Sequence, residues 1–282
     1  VDVDGYLRRM GLNARPPVDL GGLFTLQRAH VERVPYENLD IWRGRRVTID
    51  PAESAARITR GRGGYCYHLN GGLSLLLKEL GFAVTRHFGG VQPSHGIAPG
   101  ASGNHLVLTV AGLPSEHNPG GEWLVDAGLG DGLHDPLPLV EGVYEQGPFR
   151  YGMRPSTAEP GGWRFDHDPR GSFLGMDYRP VATEMSAFQA KHEYLSTSPE
   201  SGFVKLATVQ RRDAGGVDSM RGLVLQRTTR TISMTTLDRP ADYFSALADV
   251  YGLTLDDLTH DERTSLWNRL YAAHEEWLSA AT

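Results

Sequence analysis

The sequence predicts an α+β protein, with helices in the first third, strands in the middle and a mixture of the two at the end. In the first 85 residues or so, apolar side chains recur at the spacing of one helix face, most regularly at Leu69, Leu73, Leu76, Leu77 and Leu80. From Phe82 the pattern changes to short alternating runs separated by Gly, Pro and Ser. Beyond residue 183 helical and alternating segments are interleaved.

In chain order, residues 4–10 read as a short helix and residues 20–33 as a second, with Leu23, Leu26, Gln27 and His30 at helical spacing. Pro35 breaks that run. Residues 34–40, Val-Pro-Tyr-Glu-Asn-Leu-Asp, close one element and begin another. Asp50-Pro51 is an N-cap followed by proline at the first helical position, so a third helix starts there and carries Ala55, Ile58 and Thr59. A turn over residues 60–64 leads into the leucine-rich helix, which Gly81 stops. Residues 82–88 are expected as a strand and 89–104 as a loop. Strands are expected at 104–110 and 121–126, joined by a turn-rich insert, and a hairpin at 163–166 and 172–178. Residues 183–195 read as a helix and 196–201 as a polar connection. Strands at 203–210, 223–227 and 231–235 then precede closing helices at 240–251 and 261–278.

Composition narrows the function. Lys and Arg number 28 against 34 Asp and Glu, a net charge of −6, so chain-wide attraction to nucleic acid or an anionic membrane is not expected. Hydrophobic residues at 40 % and charged residues at 22 % suit a globular protein with a sizeable core. No apolar run approaches the ~20 residues that span a bilayer. The single cysteine excludes an intrachain disulfide and a cysteine-cluster metal site, so no metal is expected, and a reducing, cytoplasmic location fits best. The sequence starts at Val1 rather than Met. A few leading residues are therefore expected before it, and a removed signal peptide stays open. Nothing in the composition fixes the oligomeric state.

That cysteine lies in Arg62-Gly63-Gly64-Tyr65-Cys66-Tyr67-His68-Leu69-Asn70, between two glycines and the leucine helix. A helix start favours an anion through its unpaired N–H groups and the positive end of its dipole, which favours a thiolate. Gly63 and Gly64 permit a tight turn and leave the sulfur approachable. A small buried apolar residue is the plainer reading of Cys66. A nucleophilic thiol needs a base, and the base an orienting group. Among eleven histidines His105 is preferred, because strand alternation places it with Val107 and Thr109 on one face of a rigid mount. His87 is second, His95 and His117 lie in loops, and His68 is expected to point around the helix away from the cysteine. Asp126 ends the next strand, and an acid there is costly to bury unless paired. It is the candidate partner of His105, with a turn cap as the alternative.

These blocks carry a resemblance. Arg62-Gly63-Gly64-Tyr65-Cys66, Asn104-His105 and Val125-Asp126-Ala127-Gly128-Leu129-Gly130 look like the signature blocks of the arylamine N-acetyltransferase family. Val34-Pro35-Tyr36-Glu37-Asn38-Leu39 and Ser196-Thr197-Ser198-Pro199-Glu200-Ser201-Gly202-Phe203 resemble two others, and all run in family order up to about residue 210. The resemblance implies an N-terminal helical bundle carrying the nucleophile at residues 1–85, a central β-barrel carrying His and Asp at 86–190, and a C-terminal α/β lid at 191–282. The first two would form a papain-like cysteine protease core. It also implies a ping-pong reaction in which Cys66, with His105 and Asp126, takes acetyl from acetyl-CoA. The acetyl group then passes to the nitrogen of an arylamine or hydrazine, or to the oxygen of an N-hydroxyarylamine. Tyr36, Tyr67, Leu129 and Phe203 would line the substrate pocket.

For the acetyl-CoA co-substrate the chain lacks a Walker A pattern. Backbone approach at Gly128 and Gly130, with charge from Lys205, Arg211 or Arg212, is expected instead. Arg62 is expected to brace the cysteine loop by pairing with a carboxylate such as Glu37. Two positions depart from the family: His68 replaces its usual glutamate, and Leu129 replaces the phenylalanine of Gly-Phe-Gly. An amide synthase using a longer acyl chain, a thiol hydrolase on the same triad, and a non-catalytic binding module are the alternatives to acetyl transfer.

Overall fold

A computed structural model describes residues 1–281 as two antiparallel sheets with helices packed on them. The first five helices are α1 (Val3–Arg9), α2 (Leu20–Arg33), the single turn α3 (Leu39–Trp42), α4 (Pro51–Thr59) and α5 (Cys66–Leu80). Side chains of Asp2, Asp19 and Asp50 cap α1, α2 and α4 by accepting the otherwise unpaired N–H groups of Gly5, Gly22, Ala52 and Glu53. Gly81 ends α5 in the left-handed region at φ 103°. Leu69, Leu73, Leu76 and Leu77 of α5 are buried against Tyr6, Leu23, Leu26 and Ile58, and this cluster continues onto the large sheet.

That sheet has eight strands: β2 (Ala83–Gln92), β3 (His105–Ala111), β4 (Trp123–Val125), β5 (Leu137–Pro138), β6 (Gly142–Gln146), β7 (Phe149–Pro155), β8 (Trp163–Asp166) and β9 (Gly175–Ala182). Their order is β5-β4-β3-β2-β9-β8-β7-β6. The two edge strands do not pair, but the Gln146 side chain accepts from the N–H groups of His134 and Asp135 and donates to the Asp135 carbonyl, at 2.9, 3.0 and 2.9 Å. One amide thus joins the end of β6 to the segment before β5, and the sheet is a nearly closed barrel.

The loop expected at residues 89–104 starts later, because β2 continues through Gly89 and Gly90 to Gln92. Both glycines serve close packing: a Cβ on Gly89 would lie 2.6 Å from Val107 Cγ2, and one on Gly90 would strike the Gly100 carbonyl. The sequence reading also missed β5, β6 and β7, whose exposed Val143 and Glu145 and interspersed glycines dilute the alternation.

The second sheet is β1 (Tyr36–Glu37), β10 (Thr208–Asp213), β11 (Gly216–Arg221), β12 (Val224–Thr228) and β13 (Ile232–Thr236), in that order. With α8 (Pro240–Tyr251) and α9 (His260–Ala281) it encloses a separate core that includes Leu39, Trp42, Val209, Met220, Tyr243 and Leu247. The helix expected at 183–195 is a 3-10 turn (Met185–Phe188) followed by α6 (Gln189–Thr197). The strand expected from residue 203 begins at Thr208, because Ser201 accepts the Phe203 N–H and starts the one-turn helix α7 (Gly202–Lys205). Among the described residues no helix is long and apolar enough to cross a membrane.

Candidate active site

Cys66 is the first residue of α5, and the chain before it is pinned from three sides. Gly64 bridges to Tyr36, its carbonyl accepting the Glu37 N–H at 2.9 Å. A Cβ on Gly63 would strike the Pro35 carbonyl, and one on Gly64 would lie 2.5 Å from His68 Cβ, so both glycines are needed for close approach. Arg57 donates to the Gly63 carbonyl at 2.7 Å, to Asp40 at 2.7 Å and to Glu37 at 2.6 Å. Arg62 pairs with Glu37 as the sequence suggested, at 3.2 Å, and also with Asp40 at 3.2 Å and Asp257 at 2.9 Å. Burial alone would raise the Glu37 pKa. The two guanidinium groups and the Leu39 N–H overcome it and hold the carboxyl at about 2.

Cys66 Sγ lies 3.6 Å from the Asn104 carbonyl oxygen, at the head of β3. The next residue, His105, is buried and donates from Nε2 to Asp126 Oδ2 at 2.7 Å, with its ring also in hydrogen-bonding reach of Cys66. Burial disfavours a charged imidazole. The negative charges and hydrogen bonds of Asp126 and Cys66 outweigh that and push the His105 pKa up to about 10. Asp126 Oδ1 accepts from Asn70 Nδ2 at 2.9 Å and from the Gly128 N–H at 2.8 Å. Asn70, one turn along α5 from Cys66, also donates to the Leu106 carbonyl at 2.7 Å and accepts the Ala127 N–H at 2.9 Å. It therefore holds the acid, strand β3 and the loop after β4 in place. The sequence reading missed it, although its i+4 spacing from Cys66 puts it on the same helix face.

A cavity of about 240 Å³ opens beside the sulfur, lined by Tyr36, Cys66, His105, Gly128, Leu129 and Phe203 among others. Gly128 meets Cys66 directly, since a Cβ there would lie 2.7 Å from Cys66 Cα. Gly130 adopts φ +72° and packs against the Gln210 side chain, behind the cavity wall. Val91, Pro93, Phe173 and Leu195 add to the apolar lining, and none of them carried a signal in the sequence.

Several expected residues lie elsewhere. Tyr67 is fully buried, with its hydroxyl on the Gly103 carbonyl and its ring against Phe188. One step along α5 from Cys66 turns a side chain about 100° away, into the core. Lys205 is exposed and paired with Glu200 at 2.8 Å. Arg211 pairs with Asp218 at 3.1 Å, and buried Arg212 donates to the carbonyls of Gly132, Gln146 and Gly216. His68 points away from the thiol, donating from Nε2 to the Thr48 carbonyl at 3.0 Å, with its ring edge on Tyr65. Burial, reinforced by the nearby Arg57, lowers its pKa to about 3, so it is neutral. His87 is bonded to the Arg179 carbonyl and Thr109. Among the described residues no group of three or more His, Cys, Asp or Glu could hold a metal ion.

The family model described as N-acetyltransferase matches residues 19–259. An arylamine N-acetyltransferase of Mycolicibacterium smegmatis is 34 % identical over 273 residues, covering 92 % of this chain and 94 % of that protein. The human arylamine N-acetyltransferase 1 is 28 % identical over 248 residues, covering 80 % and 82 %. Among solved structures, that of the Mycobacterium marinum arylamine N-acetyltransferase in complex with CoA superposes with a TM-score of 0.82 at 27 % identity, covering 95 % of this chain and 98 % of that one.

Proposed function

The chain belongs to the arylamine N-acetyltransferase family, and on that premise we propose that it transfers acetyl from acetyl-CoA to an arylamine or arylhydrazine nitrogen, or to an N-hydroxyarylamine oxygen, through acetyl-Cys66. The observation that carries this reading is the buried His105–Asp126 pair, 2.7 Å long, with Cys66 beside it at a helix start that opens on an apolar cavity.

In the first half-reaction the Cys66 thiolate adds to the thioester carbonyl of acetyl-CoA, while the imidazolium of His105 retains the thiol's proton. The tetrahedral oxyanion sits at the first turn of α5, where N–H groups lack intrahelical acceptors, and one such donor is worth roughly 3–4 kcal/mol. Collapse breaks the bond to the CoA sulfur, which leaves with the proton from His105. In the second half-reaction the acceptor nitrogen adds to acetyl-Cys66, neutral His105 removes its proton, and the Cys66 thiolate is expelled. Asp126, held by Asn70 and the Gly128 N–H, fixes the imidazole tautomer throughout.

The same reading extends to the architecture. Residues 1–85 and 86–190 form the papain-like core that supplies nucleophile, base and acid. Residues 191–282 act as the lid, whose Leu195 and Phe203 close the cavity. Tyr36, Leu129 and Phe203 take the acceptor ring, and Gly128 keeps the loop close enough to the sulfur for the acyl group to reach it. The CoA complex of the M. marinum relative supports acetyl-CoA as the donor.

Intact-protein mass after mixing with acetyl-CoA alone is expected to rise by one acetyl group, and to stay unchanged for Cys66→Ser. Added aniline or phenylhydrazine then returns the mass to its starting value. An unmodified protein in the first step overturns the proposal. Acetate release at the same rate with or without amine favours the thiol hydrolase.

A further inference from the structure

Behind α6 and α7, on the side away from Cys66, lies a second cleft of about 420 Å³, larger than the cavity at the thiol. The two hollows share a wall. Leu195 and Phe203 face the thiol cavity, while their neighbours Ser196 and Val204 face the cleft. We propose that this cleft binds a small aromatic anion, a carboxylate or phosphate on a planar ring, and that the bound ligand alters the reactivity of Cys66.

Its charge is unbalanced. Arg45, Arg46 and Arg269 line the cleft, with Glu193 as the only lining carboxylate among the described residues. Arg45 is committed to Glu262. Arg46 and Arg269 have no ion pair among the described residues. The neighbouring Arg43, Arg57 and Arg62, by contrast, all meet carboxylates. Arg269 is held in place, its guanidinium lying 4.3 Å above the Trp42 ring, so its N–H edge is pre-organised for a planar anion. Val47 and Val204 supply the apolar surface that a ring needs, and buried Trp42 serves as the platform on which Arg269 lies. The volume falls within the range of small-molecule sites.

The link to the nucleophile is a short chain of hydrogen bonds. His192 lines the cleft and donates from Nε2 to the carbonyl of Val47, which lines it as well, at 2.9 Å. With the ring proton on Nε2, its Nδ1 accepts from the Tyr65 hydroxyl, 2.5 Å away. Tyr65 caps α5 immediately before Cys66. A ligand that contacts Val47 and His192 biases Tyr65, the residue immediately before the nucleophile, and any such coupling is reciprocal.

The test uses phenyl phosphate and benzoate as probes, with benzyl alcohol as the neutral control, titrated calorimetrically into the full chain. Saturable binding of an anionic probe is expected, and it persists after Cys66 is alkylated with iodoacetamide. Arg46→Glu alone weakens it roughly tenfold or more, and Arg46→Glu with Arg269→Glu abolishes it, while the circular dichroism melt of Arg46→Glu matches the parent. Saturating probe changes the rate of Cys66 alkylation in the parent but not in the double variant. The site is overturned by no saturable binding at millimolar probe, by equal binding of benzyl alcohol, by insensitivity to Arg46→Glu, or by loss on alkylation, which places the probe in the thiol cavity. An unchanged alkylation rate at saturation overturns the link to Cys66.

Discussion

At the level of single residues, the chemistry depends on where the proton between Cys66 and His105 resides. The His105 pKa stands at about 10, above the ordinary ~6.5, so the imidazole is charged at neutral pH. Iodoacetamide is therefore expected to label Cys66 at pH 7 much faster than a free thiol. Asp126→Asn removes the larger of the two charges that raise that pKa, and the labelling rate at pH 7 is expected to fall by roughly tenfold or more. An unchanged rate would place the proton elsewhere. The same shift has a stability consequence of defined sign. A raised pKa stabilises the fold fully below about 6.5, and that contribution is lost as pH rises through about 10. Cys66, His105 and Asp126 were legible in the sequence because each stands in a short block whose residue types are scarce or costly where they occur. Asn70 was not. A polar residue in a helix reads as a solvated face until the strand that needs it is placed against it.

At the level of elements, the start of α5 is held by a buried charge cluster as well as by its own turn. Glu37 and Asp40 face Arg57 and Arg62 with little exposure on any of the four side chains. Removing Arg62 leaves both buried carboxylates to Arg57 alone, and that imbalance costs up to the roughly 3–5 kcal/mol of breaking a buried pair. Arg62→Ala is expected to lose up to that much in urea unfolding, and to slow Cys66 labelling because the chain immediately before Gly63 loses its anchor to Glu37, Asp40 and Asp257. The pH dependence runs opposite to that of His105. Glu37 has its pKa lowered to about 2, so its contribution is present above the unfolded value of about 4.3 and disappears as pH falls through 2. The loss of melting temperature between pH 5 and pH 2 is expected to shrink in Glu37→Gln. The helix start at Asp50 could be read directly, since a cap is a local event. The run of β2 through Gly89 and Gly90 could not, because Gly89 answers to Val107 on the neighbouring strand and Gly90 to a loop that folds back over it from ten residues away.

Across the whole molecule, the segments were largely legible and their pairing was not. Sheet order joins β2 to β9 and β1 to β10, contacts between residues far apart in the chain that no window of sequence contains. The consequence appears at Asn38, which the sequence offered only as part of a motif. Its Nδ2 donates to the carbonyls of Phe203 at 3.1 Å and Leu206 at 2.8 Å, and its Oδ1 accepts the Thr208 N–H at 2.7 Å. One amide therefore fastens the segment that carries Phe203 to the segment that carries Tyr36, and both line the thiol cavity. Asn38→Ala leaves three backbone groups without partners. A buried group so orphaned costs about 1–3 kcal/mol. Solvent reaching this surface segment would relieve part of that, so a total loss of about 1–3 kcal/mol is expected. The sharper expectation is spatial. Hydrogen exchange should quicken over residues 202–208 while α5 keeps its protection, because α5 is anchored by its own leucine face and by the arginine cluster. Uniform loss of protection across both would mean that Asn38 supports the fold as a whole, and that the cavity wall has no independent hinge at this point.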